Sequence, residues 1–135
     1  MTFVILIGGI DLSVGSVMAF AAVVAGKAIT LPGFGPTEVI LFACFAAVTA
    51  GFICGLLNGA ISSYWGLPSF IITLGMLNVA RGAALHVSNA KTIYSFPFAF
   101  EEFGSAQIFG IPVVFLVAMV LVFIAWFILN RTVFG

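Results

Sequence analysis

Long apolar runs, broken by glycine, proline and a few charges, divide the chain into four stretches. The first extends from the start to about Leu31, is interrupted between Gly8 and Asp11, and carries Lys27 near its end. Residues 31–36, Leu-Pro-Gly-Phe-Gly-Pro, punctuate any helix and read as a turn. Residues 39–61 are uncharged and long enough to span a bilayer with some tilt. A third stretch runs from Leu67-Pro68 to about Val87 and carries Asn78, Arg81 and His86, which makes it a helix with a polar half. Residues 88–111, with Lys91, Pro97, Glu101, Glu102 and many aromatics, form a longer connector suited to a loop at the membrane interface. The fourth stretch, residues 112–129, opens on Pro112, where the missing N–H matters least. The expected fold is an all-α integral membrane protein of about four to five transmembrane helices, one of them discontinuous near Gly8 and Asp11.

Composition agrees with a bilayer as the solvent. Hydrophobic residues make up 64% and charged residues 6% of the 135 positions, whereas globular chains carry about 25% charged residues. Four basic residues balance four acidic ones, so nothing here would neutralise phosphates and nucleic-acid binding is excluded. Cys44 and Cys54 lie in one apolar stretch, about 15 Å apart along a helix, too far for a disulfide. The opening residues lack the basic region and cleavage site of a signal peptide, and both ends read as cut from longer helices. Lys27, Lys91 and Arg131 are too few to orient the spans.

The run Gly8-Gly9-Ile10-Asp11-Leu12-Ser13-Val14-Gly15-Ser16 holds the costliest group, since a carboxylate at mid-membrane costs about 2.5–3.5 kcal/mol on insertion scales. Asp11 stands where an N-cap would stand for a helix starting near Val14. Alternatively, Asp11, Ser13 and Ser16 present polar groups to a solute at a broken helix; both readings hold together if the helix is broken there. Ala43, Ala47, Gly51, Gly55 and Gly59 recur every four residues and predict a helix-packing ridge. A looser stripe of Gly15, Ala19, Ala22 and Gly26 suggests a second packed face. Asn58 adds either an interhelical hydrogen bond or a polar lining. Arg81, with Asn78 three residues before it, either snorkels from a helix end or pairs with Asp11, Glu101 or Glu102. His86 has no second ligand at metal spacing, so no metal site is expected. Neither a phosphate-binding glycine loop nor a nucleophile–base set is present, so no cofactor and no enzyme activity are expected.

Residues 2–16, with Gly8-Gly9-Ile10-Asp11-Leu12-Ser13-Val14-Gly15-Ser16 at their end, closely resemble a signature of permease subunits of bacterial ribose-type monosaccharide ABC importers. Residues 67–82, Leu-Pro-Ser-Phe-Ile-Ile-Thr-Leu-Gly-Met-Leu-Asn-Val-Ala-Arg-Gly, are similar to the motif that follows that family's Asn-Gly helix, and Asn58-Gly59 stands where that pair belongs. Gly110-Ile111-Pro112 fits the start of the next span. Asn89-Ala90-Lys91 departs from a stretch that is glycine-rich in the family. The resemblance implies that residues 1–135 are a partial transmembrane permease domain, truncated at both ends, in a multi-pass protein of the bacterial inner membrane. It implies partners as well: ATP-binding subunits, a soluble periplasmic sugar-binding protein and a second permease copy. It also implies a periplasmic connector and a cytoplasmic Arg131. Asp11, Ser13, Ser16, Asn58, Thr73, Asn78 and Arg81 are the resulting candidates for a translocation path or its hinge. A channel or secondary transporter with an Asp11–Arg81 ion relay, and a non-functional permease fragment, are the alternatives.

Overall fold

A computed structural model describes residues 9–33, 35–94, 98, 104–108 and 110–131. They fall into two units, Met1–Phe96 and Pro97–Gly135. The first holds α1 (Val14–Ile29), α2 (Pro36–Trp65) and α3 (Ser69–Ser88). The second holds a two-residue antiparallel pair, β1 (Gln107–Ile108) and β2 (Ile111–Pro112), turned at Gly110, and then α4 (Val113–Arg131). Two helices among the described residues, Thr37–Trp65 and Ser69–Ser88, are long and apolar enough to cross a membrane. Of the four to five spans expected, two meet this criterion among the described residues, with Val14–Ile29 and Val113–Ile128 apolar but shorter.

Local signals explain the helix limits. Pro36 occupies the first turn of α2, and the Glu38 carboxylate accepts the Gly35 N–H at 3.1 Å, so α2 begins ahead of the expected residue 39. Gly66, at φ +62°, stops α2 in the left-handed conformation that glycine adopts freely. Residues 9–13 are non-helical, where the interruption was expected, and α1 starts at Val14. Sixteen helical residues cover about 24 Å, and the five-residue strap ahead of them adds about 16 Å if extended.

Helix α1 packs on both α2 and α3. Its C-terminal half meets the start of α2 in a small-residue core of Ala28, Ile29 and Ala43, flanked by Ala25 and Ala46. Without a hydrophobic drive between helices in lipid, such close backbone approach is what holds them. Gly26 is the one member of the α1 stripe that is closely packed, since a Cβ there would lie 2.9 Å from Ile93 Cδ1. Gly15, Ala19 and Ala22 are exposed, so the expected packed stripe contracts to Gly26.

The ridge on α2 is packed only at its start among the described residues. Its buried residues are Val39, Ala43, Ala50 and Cys54, and of the ridge only Ala43 belongs to them. Residues four apart drift about 40° per step around a helix, so Ala47, Gly51, Gly55 and Gly59 wind progressively off the packed face. A Cβ on any of the three glycines would meet nothing within 4 Å.

In the connector, α3 ends on Asn89 at φ +52°, and Ala90 follows at φ +54°. The Ala90 N–H reaches back to the Leu85 carbonyl at 2.9 Å, closing the helix end. Asn tolerates this region but alanine pays about 1–2 kcal/mol. Ala90→Gly is expected to raise the unfolding free energy of the natural gene product by about 0.5–1 kcal/mol in a detergent-solubilised denaturation assay, after the larger chain entropy of glycine is subtracted.

Candidate functional site

Residues 9–13 leave backbone groups without helical partners, and in an apolar setting each must be satisfied by another donor or acceptor. Helix α3 supplies two hydroxyls. Ser69 Oγ accepts the Ile10 N–H at 3.2 Å and donates to the Ile10 carbonyl at 3.4 Å. Thr73 Oγ1 accepts the Leu12 N–H at 3.2 Å and lies within hydrogen-bonding distance of the Ile10 and Phe70 carbonyls, at 3.3 and 3.2 Å. The match is metric: four helical residues rise about 6 Å, close to the 6.4–6.8 Å, roughly, of two extended residues. Hydroxyls at 69 and 73 therefore stand opposite the backbone at 10 and 12.

Asp11 lies between these anchor points. Its Oδ1 accepts the Ser13 N–H at 2.8 Å and the Ser13 hydroxyl at 2.7 Å, a local turn of the kind Asp favours. The expected N-cap assignment is thereby corrected: the cap residue is Ser13, whose side chain makes no cap bond because its hydroxyl is turned to Asp11. Ser16 Oγ donates to the Ser13 carbonyl at 2.8 Å. From α2, Asn58 Nδ2 donates to Ser13 Oγ at 3.1 Å. Ser13 is 1% exposed and Thr73 4% exposed, so the relay Asn58–Ser13–Asp11 ties α2 to the strap in a shielded place.

Beside the relay opens a pocket of about 350 Å³, lined by Asp11, Gly55, Asn58, Gly59, Ser62, Ser63, Ser69 and Thr73. Gly55 and Gly59, wound off the packing face, leave this space empty. Asn58 Oδ1 is buried and has no hydrogen-bond partner among the described residues, an unmet acceptor worth about 1–3 kcal/mol of desolvation.

Of the sequence candidates, Asp11, Ser13, Asn58 and Thr73 come together, with Ser16 one turn along α1. Asn78 does not join them; it is exposed and its amide donates to the Leu74 carbonyl of its own helix. Arg81 is exposed, eight residues and about 12 Å beyond Thr73 along α3, and forms no ion pair among the described residues. Its other candidate partners, Glu101 and Glu102, lie outside the described residues. Ser62, Ser63 and Ser69 were missed. Ser69 and Thr73, four apart just after Pro68, were the available signal, a hydroxyl pair on one face of a helix start.

The whole chain, residues 1–135, matches the family described as branched-chain amino acid transport system / permease component. It is 38% identical over 133 residues to the D-allose transport system permease protein AlsC of Escherichia coli (strain K12), covering 98% of this chain and 40% of that protein. It is 35% identical over 135 residues to the L-arabinose ABC transporter permease protein AraH of Azospirillum brasilense, covering 100% and 38%. Against the autoinducer 2 import system permease protein LsrD of Yersinia pestis (strain Pestoides F) the identity is 34% over 138 residues, covering 98% and 40%. The chain thus spans about two fifths of the length of these curated relatives. No solved structure matches it.

Thr73→Val, which keeps the shape and removes the hydroxyl, is expected to destabilise the natural gene product by about 1–3 kcal/mol by orphaning the Leu12 N–H. Hydrogen exchange at Leu12 should accelerate in that variant, while Thr73→Ser should leave both the exchange rate and the stability close to those of the parent.

Proposed function

The chain belongs to the family of branched-chain amino acid transport system permease components, and on that premise we propose that it lines the translocation path of an ATP-driven importer of a monosaccharide or a related small polar solute. It is a membrane transport component and not an enzyme, as its permease relatives are. The family's description refers to branched-chain amino acids, whereas the relatives' names refer to allose, arabinose and autoinducer 2. The site favours the second group. Its pocket offers one carboxylate, an amide and four hydroxyls, a set suited to hydroxyl-rich solutes, and among the described lining residues no cation stands to receive an amino acid's carboxylate.

The observation that carries this reading is that pocket, with a carboxylate, an amide and four hydroxyls among its lining residues, set beside the unwound residues 9–13 in a chain whose other exposed surface is largely apolar. A path for a hydrated solute needs groups that replace water weakly, since a site that binds tightly also traps. Hydroxyls and an amide meet that need better than rings of charge. The strap lacks regular helical bonds, which suits it to change arrangement during alternating access. The working unit in this reading is multi-pass in the bacterial cytoplasmic membrane, pairs with a second permease copy, and works with ATP-binding subunits and a soluble periplasmic binding protein.

Reconstitution of the natural gene product with its ATP-binding subunits and binding protein tests the reading. ATP-dependent uptake of labelled D-ribose, D-allose or L-arabinose is expected, and Ser69→Ala combined with Thr73→Val should lower it by about tenfold or more at matched protein levels. Uptake driven by an ion gradient without the ATP-binding subunits would contradict it.

A further inference from the structure

Helix α3 and the residues after it grip α1 at two places. The strap before α1 hangs on Ser69 and Thr73, and the last turn of α1 is covered by Ile93, five residues past the end of α3. From Ser13 to Gly26 these places are about 20 Å apart along α1. The second grip is a knob in a notch. A Cβ on Gly26 would lie 2.9 Å from Ile93 Cδ1, 3.4 Å from Cγ2 and 3.6 Å from Cβ, so the isoleucine seats only where the helix lacks a side chain. Gly26 is buried beneath it.

The chain reaches that notch through a corner that is costly to hold. Asn89 and Ala90 are both left-handed, at φ +52° and +54°. Asparagine accepts this region, but an alanine stays there only where its surroundings fix it. The fixing bonds run from the Asn89, Ala90 and Lys91 N–H groups to the His86, Leu85 and Ser88 carbonyls, at 3.1, 2.9 and 3.1 Å. Around them the packing is incomplete: Asn89, Ala90, Lys91 and Thr92 are exposed, and a space of about 240 Å³ is lined by Ile93, by Val23 and Gly26 of α1 and by Ser88 of α3. Two opposed forces meet at this corner. Burial of Ile93 against Gly26 closes it, and relaxation of Ala90 opens it.

Resting on the transport reading above, we infer that residues 89–93 are a reversible latch on the end of α1 remote from Asp11. Ile93 seated on Gly26 holds α1 and α3 together there, and in each transport cycle the left-handed corner relaxes and Ile93 leaves the notch. Strain stored at Ala90 brings the two arrangements closer in energy, as a switching element needs.

A disulfide tests the latch, because the 3.6 Å between a Cβ on Gly26 and Ile93 Cβ falls within the roughly 3.5–4.5 Å that such a bond requires. Gly26→Cys with Ile93→Cys is made in the natural gene product, with Cys44 and Cys54 replaced by alanine, and reconstituted with its ATP-binding subunits and binding protein. Oxidation with copper phenanthroline should cross-link the pair and lower ATP-dependent sugar uptake about tenfold or more, and dithiothreitol should restore it. The unoxidised sample is its own control for folding. A cross-linked transporter that takes up sugar at the unoxidised rate would overturn the inference and leave the transport reading standing, and so would failure of the pair to cross-link. Absence of ATP-dependent uptake by the parent would overturn both.

Alkylation of a single cysteine gives the answer if the pair is inactive before oxidation. With Ile93→Cys alone in the same background, a hydrophilic maleimide should react at least about threefold faster during turnover, with ATP and sugar-loaded binding protein, than at rest. Adding Ala90→Gly, which relaxes the corner without unseating residue 93, should slow the resting reaction about two- to fivefold. An unchanged rate in either comparison marks the corner as static and overturns the latch.

Discussion

Backbone satisfaction at residues 9–13 is the constraint on which the rest of this arrangement depends. A peptide stretch that leaves the helix in apolar surroundings exposes N–H and C=O groups that cost several kcal/mol each if unpaired. Ser69 and Thr73 cover Ile10 and Leu12, and Asp11 covers the N–H of Ser13. The position of α3 against the strap, the burial of Ser13 and the approach of Asn58 all follow from that requirement. Asp11 is held at the pocket by the same bonds that stop its flanking backbone from being unpaired.

The helices are arranged as lipid, rather than water, would have them. Along α2 the buried positions are small or slender, Val39, Ala43, Ala50 and Cys54, while Phe45, Val48, Phe52 and Leu56 are 69%, 71%, 67% and 59% exposed. Large apolar side chains gain nothing by leaving a hydrocarbon solvent, so packing is left to residues that let backbones approach. Glycines at 51, 55 and 59 continue the small-residue pattern past the point where it packs, and there they serve to keep a space open. One sequence pattern thus has two physical outcomes, close contact at its start and a pocket at its end.

Much of this was legible in the sequence because the membrane makes polar residues expensive. Asp11, Asn58 and Thr73 stood out against an apolar background, whereas α2 runs from Pro36 to Trp65 and exceeds the expected 39–61 at both ends. What was not legible has a common cause: spacing along one helix says little about what stands opposite it. The ridge was read by its four-residue recurrence, but the 40° drift, roughly, at each step carried Gly59 away from Ala43. Ser69 was missed along α3, because its partner, the backbone of Ile10, stands on a different segment. Arg81 and Asn78 shared the helix of Thr73 and were grouped with it, although distance along α3 and Asn78's bond to Leu74 keep both out of the cluster. The short β1–β2 pair in the connector had no periodic signal at all, being only two residues on each side.

The central claim is that the space beside Asp11 and Asn58 is wet and lies on the solute's route. Thiol accessibility in the bilayer tests it most directly. With Cys44 and Cys54 replaced by alanine, single cysteines at Gly55 and Gly59, where an added Cβ meets nothing within 4 Å, are compared with cysteines at Phe52 and Leu56 on the outer face. The account predicts that a hydrophilic, membrane-impermeant thiol reagent modifies positions 55 and 59 much faster than 52 and 56, and that the transported sugar slows the reaction at the first pair only. Equal, negligible labelling at all four positions would contradict it.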